Sequence, residues 1–179
     1  GYREQTEKIL ENLCEITGVV YIHGKNIVVD GIRFIGHTLW SIIDRDACSK
    51  LADFSCGVFE SHIEYVSAFV DGVRFIQSEI HKSMDHEEPL VVVTHHLPSR
   101  KLNHPRFTGY GTLNSAFATD VLSSLNGVQK IKYWFCGHTH ESTSIKAYNM
   151  QLVVNPYGYP HEKRDRMTKV LLDTYPMEI

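Results

Sequence analysis

The sequence predicts one α/β domain, a sheet covered by helices, and three observations predict it. Residues 90–94 and 131–136 are short runs dominated by valine, isoleucine and aromatic side chains, which read as buried strands of a parallel sheet. Elsewhere apolar residues recur at three- and four-residue spacing, the mark of helices that pack one face on a sheet. At 179 residues the chain is long enough to bury a sizeable core, and it carries no repeat, low-complexity tract or linker that would divide it.

Residues 3–16 place Ile9, Leu10, Leu13 and Ile16 on one helical face, with Gly18 as a stop. Residues 19–22, 27–29 and 32–35 read as short strands, the last two joined by Asp30-Gly31, a hairpin signal. From 36 to 60 the pattern fades into a long loop that Trp40 anchors by burial, with Asp44 and Asp46 as solvated loop charges. Ser61-His62-Ile63-Glu64 has the form of a capping box and opens a helix to about Lys82 with Val66, Phe69, Val70, Val73, Ile76 and Ile80 inward; Gly72 weakens it. The charged run 81–88 is a polar turn before the next strand. Residues 98–112 form a basic loop without periodicity. Asn114 is expected to cap a helix carrying Phe117, Val121, Leu122 and Leu125 inward. Residues 144–148 and 151–154 form a hairpin around Asn149, and 169–173 a last strand.

Composition narrows the function classes. Net charge is −3 with 18 basic and 21 acidic residues, so no broad basic face is offered to nucleic acid or to an acidic membrane. No apolar run approaches the roughly 18 residues of a membrane span, and residues 1–5 do not resemble a signal peptide. Four cysteines without CxxC spacing are expected to be reduced, in keeping with a cytoplasmic setting.

The chemistry lies in histidines. The strand at 131–136 ends at Gly137-His138-Thr139-His140, and the strand at 90–94 ends at His95-His96-Leu97-Pro98. Residues two apart on an extended segment point the same way, and Gly137 would admit close approach of the backbone. If both strands lie side by side and parallel, His95, His138 and His140 converge at the sheet edge where open α/β sheets place ligands. Imidazole is a common ligand of zinc, manganese and iron, so the trio reads as a metal site. Arg100, Lys101, His104 and Arg106 in the basic loop are candidates for gripping phosphate. His96 is either a substrate contact or a support behind the ligands.

Thr94-His95-His96-Leu97-Pro98-Ser99, Gly137-His138-Thr139-His140 and Asn155-Pro156-Tyr157-Gly158-Tyr159-Pro160 resemble the last motifs of the calcineurin-like metallophosphoesterases. Residues 31–40 and His104-Pro105-Arg106-Phe107 resemble a bacterial-type branch of that family. The family's Asp-x-His, Gly-Asp-x-x-Asp and Gly-Asn-His motifs are absent, so the chain is expected to be the C-terminal portion of a larger domain, roughly the latter half of a sandwich of two packed mixed sheets flanked by helices.

The resemblance implies two divalent or trivalent transition-metal ions (Mn, Fe or Zn), with His95 and His138 on one and His140 on the other. Carboxylates from the missing motifs would complete both shells. It implies hydrolysis of a small phosphorylated substrate, monoester or diester, by metal-activated hydroxide, with His96, His104 and Arg106 as candidate substrate contacts and the general acid outside this chain. Two other readings stand beside it: a binding scaffold that has lost metal chemistry, and a mononuclear zinc hydrolase using His95, His138, His140 and a water.

Overall fold

The computed structural model describes residues 2–159; the strand expected at 169–173 and the end of the motif at Pro160 lie outside them. The elements are helix α1 (Tyr2–Thr17), strands β1 (Lys25–Val29) and β2 (Ile32–His37), short helices α2 (Arg45–Cys48) and α3 (Ala52–Ser55), the long helix α4 (His62–Ser83), and strands β3 (Leu90–Thr94), β4 (Ile131–Cys136), β5 (Thr143–Ala147) and β6 (Met150–Val154). Among the described residues the strands form one mixed sheet in the order β1-β2-β3-β4-β6-β5. Strands β2, β3, β4 and β6 run parallel, and the two outer strands are antiparallel hairpin partners. The hairpins are closed by Asp30-Gly31 and Tyr148-Asn149, all four at positive φ, which two-residue hairpins require to match strand twist.

One face of the sheet carries Ile35, Val92, Trp134, Cys136, Leu152 and Val154 into a core shared with Phe69, Ile76 and Ile80 of α4. Each such side chain contributes about 1.5–3 kcal/mol by leaving water. Ser61 caps α4 as expected, its hydroxyl accepting from the Glu64 amide at 3.2 Å. The buried stripe is rotated from the one the sequence suggests: Tyr65, Phe69, Gly72, Ile76 and Ile80 face inward, whereas Val66, Val70 and Val73 are half-buried. Gly72, which weakens the helix pattern, has a packing reason: a Cβ there would stand 2.7 Å from Nδ1 of His37.

Three expectations are corrected. Residues 19–22 form no strand; they run irregularly until His23 bridges Gly36, whose missing side chain leaves room for Ile22, 2.5 Å from where a Cβ would be. The α-helix expected from Asn114 does not form. A 3-10 segment at Pro105–Ala116, kinked at Gly111, is followed by extended backbone, and Leu122–Ser124 is a single turn. Tertiary hydrogen bonds claim that backbone: Leu97 donates to Phe117, Thr119 to Leu97 and Val121 to Pro98. Asn114 holds Asn103 and the Phe107 carbonyl in place of capping a helix. The stripe of α1 is real but uncovered among the described residues, with Leu13 51% and Ile16 82% exposed. The second sheet face is also thinly covered, since Phe34, Val93, Tyr133 and Phe135 are half-buried. No described helix is long and apolar enough to cross a membrane.

Candidate functional site

Four parallel strands deliver their C-terminal ends to one edge, and each ends in polar residues: β2 at His37-Thr38, β3 at His95-His96, β4 at Gly137 to His140, and β6 at Asn155. Backbone bonds stitch these ends together, Gly137 donating to the His95 carbonyl at 3.1 Å and Asn155 to that of Cys136 at 2.9 Å. A cleft of about 1060 Å3 runs along the edge, lined by His23, His37, His95, His138, His140 and Asn155 among others.

The backbone is under strain here. Besides the hairpin residues, the non-glycine residues at positive φ among the described residues are Leu39 (71°), Trp40 (52°), His138 (67°) and His140 (54°), all in loops at this edge. Such conformations cost of order 1–3 kcal/mol each and gather where a site dictates geometry. Thr139 donates to the Gly137 carbonyl at 2.8 Å, closing a three-residue γ-turn with His138 at its centre. His138 and His140 therefore reach the cleft through left-handed turns and not, as an extended segment would have it, by strand alternation. Gly137 is not needed for close approach either, because a Cβ there meets nothing nearer than Pro156 at 3.9 Å.

The sequence-derived trio is brought into one neighbourhood. Nδ1 of His138 lies 2.9 Å from Nε2 of His95, their rings 4.7 Å apart, and His140 stands within electrostatic reach of both. His140 also meets the edge of the Tyr159 ring at 4.4 Å. Burial lowers the pKa of His138 to about 3, with further lowering from His95 and His140. Desolvation on the cleft side also lowers His95, which is otherwise exposed, against the opposing pull of the Asp53 carboxylate. Both rings are thus neutral near pH 7, the form that donates a lone pair to a metal. Nε2 of His138 is buried without a hydrogen bond of ordinary geometry, although the Ala116 backbone accepts from the ring weakly, enough only to oppose the lowering of its pKa, and Oδ1 of Asn155 is likewise buried and unpartnered. As neutral nitrogen donors with an unsatisfied ring atom, the imidazoles fit a transition-metal ion. Among the described residues no three or more His, Cys, Asp or Glu side chains stand close enough to hold one, so they fit as part of a shell that further ligands must complete.

The other candidates fare differently. His96 is 2% exposed, and both ring nitrogens are engaged inside the protein, Nδ1 with the Thr38 carbonyl at 3.3 Å and Nε2 with the Tyr65 hydroxyl at 3.4 Å. It cannot touch a substrate as it stands. Arg106 pairs with Glu141, just past the histidine loop, and lies over the Phe107 ring, so its charge is already committed. His104 accepts from the Arg106 amide at 3.3 Å as the cap of the 3-10 segment. Arg100 and Lys101 are exposed and open the turn held by Ser99 and Asp120. Trp40 is the anchor expected of it, edge-on to Phe59 at 4.7 Å and against Tyr65 and His96 at 5.2 Å. Sequence reasoning missed Asp53 and Tyr65: the first sits in the short helix α3, within a stretch where one was not expected because it shows no apolar periodicity, the second one position off the apparent helical stripe.

His37, at the same edge, is held neutral to about pH 4, chiefly by burial and then by His23 and Arg3. Unfolded, the ring would titrate near 6.5. Between those values the unfolded chain takes up a proton that the folded chain refuses. This contribution to stability is therefore complete above about pH 6.5 and lost progressively toward pH 4, to an upper limit of about 3 kcal/mol. His138 and His96 act in the same direction. The thermal midpoint should fall steadily from about pH 7 to about pH 4.5, less steeply in His37→Gln; a midpoint flat over that range would contradict the burial assigned to these rings.

No family model matches the chain. An uncharacterized protein of Acanthamoeba polyphaga mimivirus is 26% identical over 181 residues, covering 87% of this chain and 61% of that protein. The crystal structure of the phosphopantetheinyl hydrolase PptH from Mycobacterium tuberculosis superposes with a TM-score of 0.59 at 16% identity, covering 89% of this chain and 63% of that one. The chain thus spans about three fifths of the length of the proteins it matches. A likeness at that identity bears on fold alone: the chain shares the mixed α/β fold of that hydrolase.

Proposed function

We propose that this chain is the histidine-bearing portion of a metal-dependent phosphoesterase acting on a small phosphorylated substrate. The observation that carries the reading is the gathering of His95, His138 and His140 at the carboxyl edge of four parallel strands, with His138 and His140 both in left-handed backbone. A sheet needs no such strain to end a strand, and neutral imidazoles at this edge suit metal ligation. His95 and His138 would hold one transition-metal ion and His140 a second, with carboxylates from a segment outside this chain completing the shells. Bound there, the pair would supply Lewis acidity toward the phosphoryl group and a nucleophile at neutral pH. The chain's own residues hold the ligands: the backbone bond from Gly137 to His95 fixes the two loops to one another, and the pairing of Arg106 with Glu141 ties the basic loop to the histidine loop.

The test measures metal content and hydrolysis of p-nitrophenyl phosphate and its bis-ester, for the 179-residue chain and for a longer form carrying an upstream segment. The longer form should bind two ions and turn over; the chain alone should bind weakly and hydrolyse little, because the bridging carboxylates are missing. Robust hydrolysis by the chain alone with a single ion would replace this reading with the mononuclear hydrolase. No bound metal in either form would replace it with the scaffold.

A further inference from the structure

The polar groups behind the histidine pair form a continuous chain with one consistent direction. The Thr38 carbonyl can only accept, and it receives the backbone amides of His95 at 3.3 Å and His96 at 3.1 Å as well as Nδ1 of His96. The proton of the neutral His96 ring is therefore on Nδ1, which leaves Nε2 bare and obliged to accept. The Tyr65 hydroxyl is its neighbour and must donate to it, so Tyr65 in turn accepts from Ser41, 3.3 Å away. Ser41 and Tyr65 are fully buried, and no solvent can take their place. The main chain of His96 is held as firmly. The Trp134 indole donates to the Thr94 hydroxyl at 2.9 Å, which donates to the His96 carbonyl at 2.8 Å. The ring so fixed lies 4.2 Å from the ring of His138, which in turn stands 4.7 Å from that of His95 in the cleft.

We propose that His96 is a positioning residue: locked as the Nδ1–H tautomer by Thr38, Tyr65 and Ser41, it backs the His138 imidazole and keeps its Nδ1 edge turned toward His95. This deepens the reading given above, since it takes His138 as a working ligand, and it gives helix α4 and the strained loop 38–41 a part in the site. A packing residue alone would need no fixed tautomer. Phenylalanine would fill the same space.

The experiment is ring nitrogen–proton correlation spectroscopy on the isotope-labelled chain, with Tyr65→Phe, Ser41→Ala and His96→Phe beside the wild type. The wild type should show His96 as a single Nδ1–H tautomer. Tyr65→Phe removes the donor to Nε2 without touching either histidine, so His96 should lose its single tautomer and the His138 signals should move, while those of His140 stay. Ser41→Ala should do the same more weakly, and it keeps the test decisive if Tyr65→Phe does not fold. His96→Phe should move His138 most. An Nε2–H tautomer of His96 in the wild type, or His138 signals unmoved in all the variants, would overturn the proposal. Hydrolysis is not read here, so loss of the phosphoesterase reading and loss of this inference are separate results.

Discussion

His138→Asn and His140→Asn should each lower phosphodiester hydrolysis by roughly three orders of magnitude in the catalytically complete protein, because ligands acting as one unit fail together. The double variant should be scarcely worse than either single one, since losing one ion already leaves its partner unable to clamp the reaction. Asparagine is the informative replacement. Both histidines sit at positive φ, where asparagine is tolerated and alanine adds strain of about 1 kcal/mol. The asparagine variants therefore separate the lost imidazole from the stressed turn. Without added metal their thermal midpoints should stay near that of the wild type, while stabilisation by manganese should shrink, because an ion that binds the folded state raises stability only while its ligands remain. Near-normal turnover with two bound ions in either variant would remove these residues from the site.

What could be read in the sequence, and what could not, divides along a physical line. Strands β3 and β4 were legible because central parallel strands, with one face buried and the other half-buried, are built mostly of apolar and aromatic side chains, and both hairpins because two-residue turns admit few residue types. The helix at Ser61 was legible through its cap. What tertiary structure decides was hidden. The segment after Asn114 has helical spacing, yet its backbone is taken by the 97–98 segment. The inward face of α4 is shifted toward Tyr65 because Gly72 must sit over His37. The site was half legible. Paired histidines at strand ends announce themselves, but the left-handed turns that deliver them have no spacing signature, and neither does the burial of His96, whose exposed-looking neighbours Ser99 to Lys101 suggest a surface loop. The role of Asp53 near His95 arises from the segment 38–60, expected as a loop but folded into the short helices α2 and α3, which no periodicity encodes.

Trp134→Ala should be the most damaging single core substitution in strand β4, at about 3–5 kcal/mol. The indole is wholly buried at the centre of the main core, and a domain of this kind has only about 5–15 kcal/mol in hand. Trp134→Phe should cost less, about 1–3 kcal/mol, since most of the ring volume stays and the losses are one hydrogen bond and a small void. The hydrogen bond has a consequence beyond stability, because its acceptor, the Thr94 hydroxyl, is the group that fixes the His96 carbonyl. Thr94→Val keeps the shape but strands the indole N–H and the His96 carbonyl in the interior, an expected loss of about 1–3 kcal/mol for each unpaired group. In the double variant Trp134→Phe with Thr94→Val the stranded donor is gone. Its destabilisation should therefore fall below the sum of the two single losses by about 1 kcal/mol. Urea midpoints for the wild type and the four variants decide the matter: strictly additive losses would mean that Trp134 serves the core alone, and a Trp134→Ala loss below about 1.5 kcal/mol would mean that the core is not built around it.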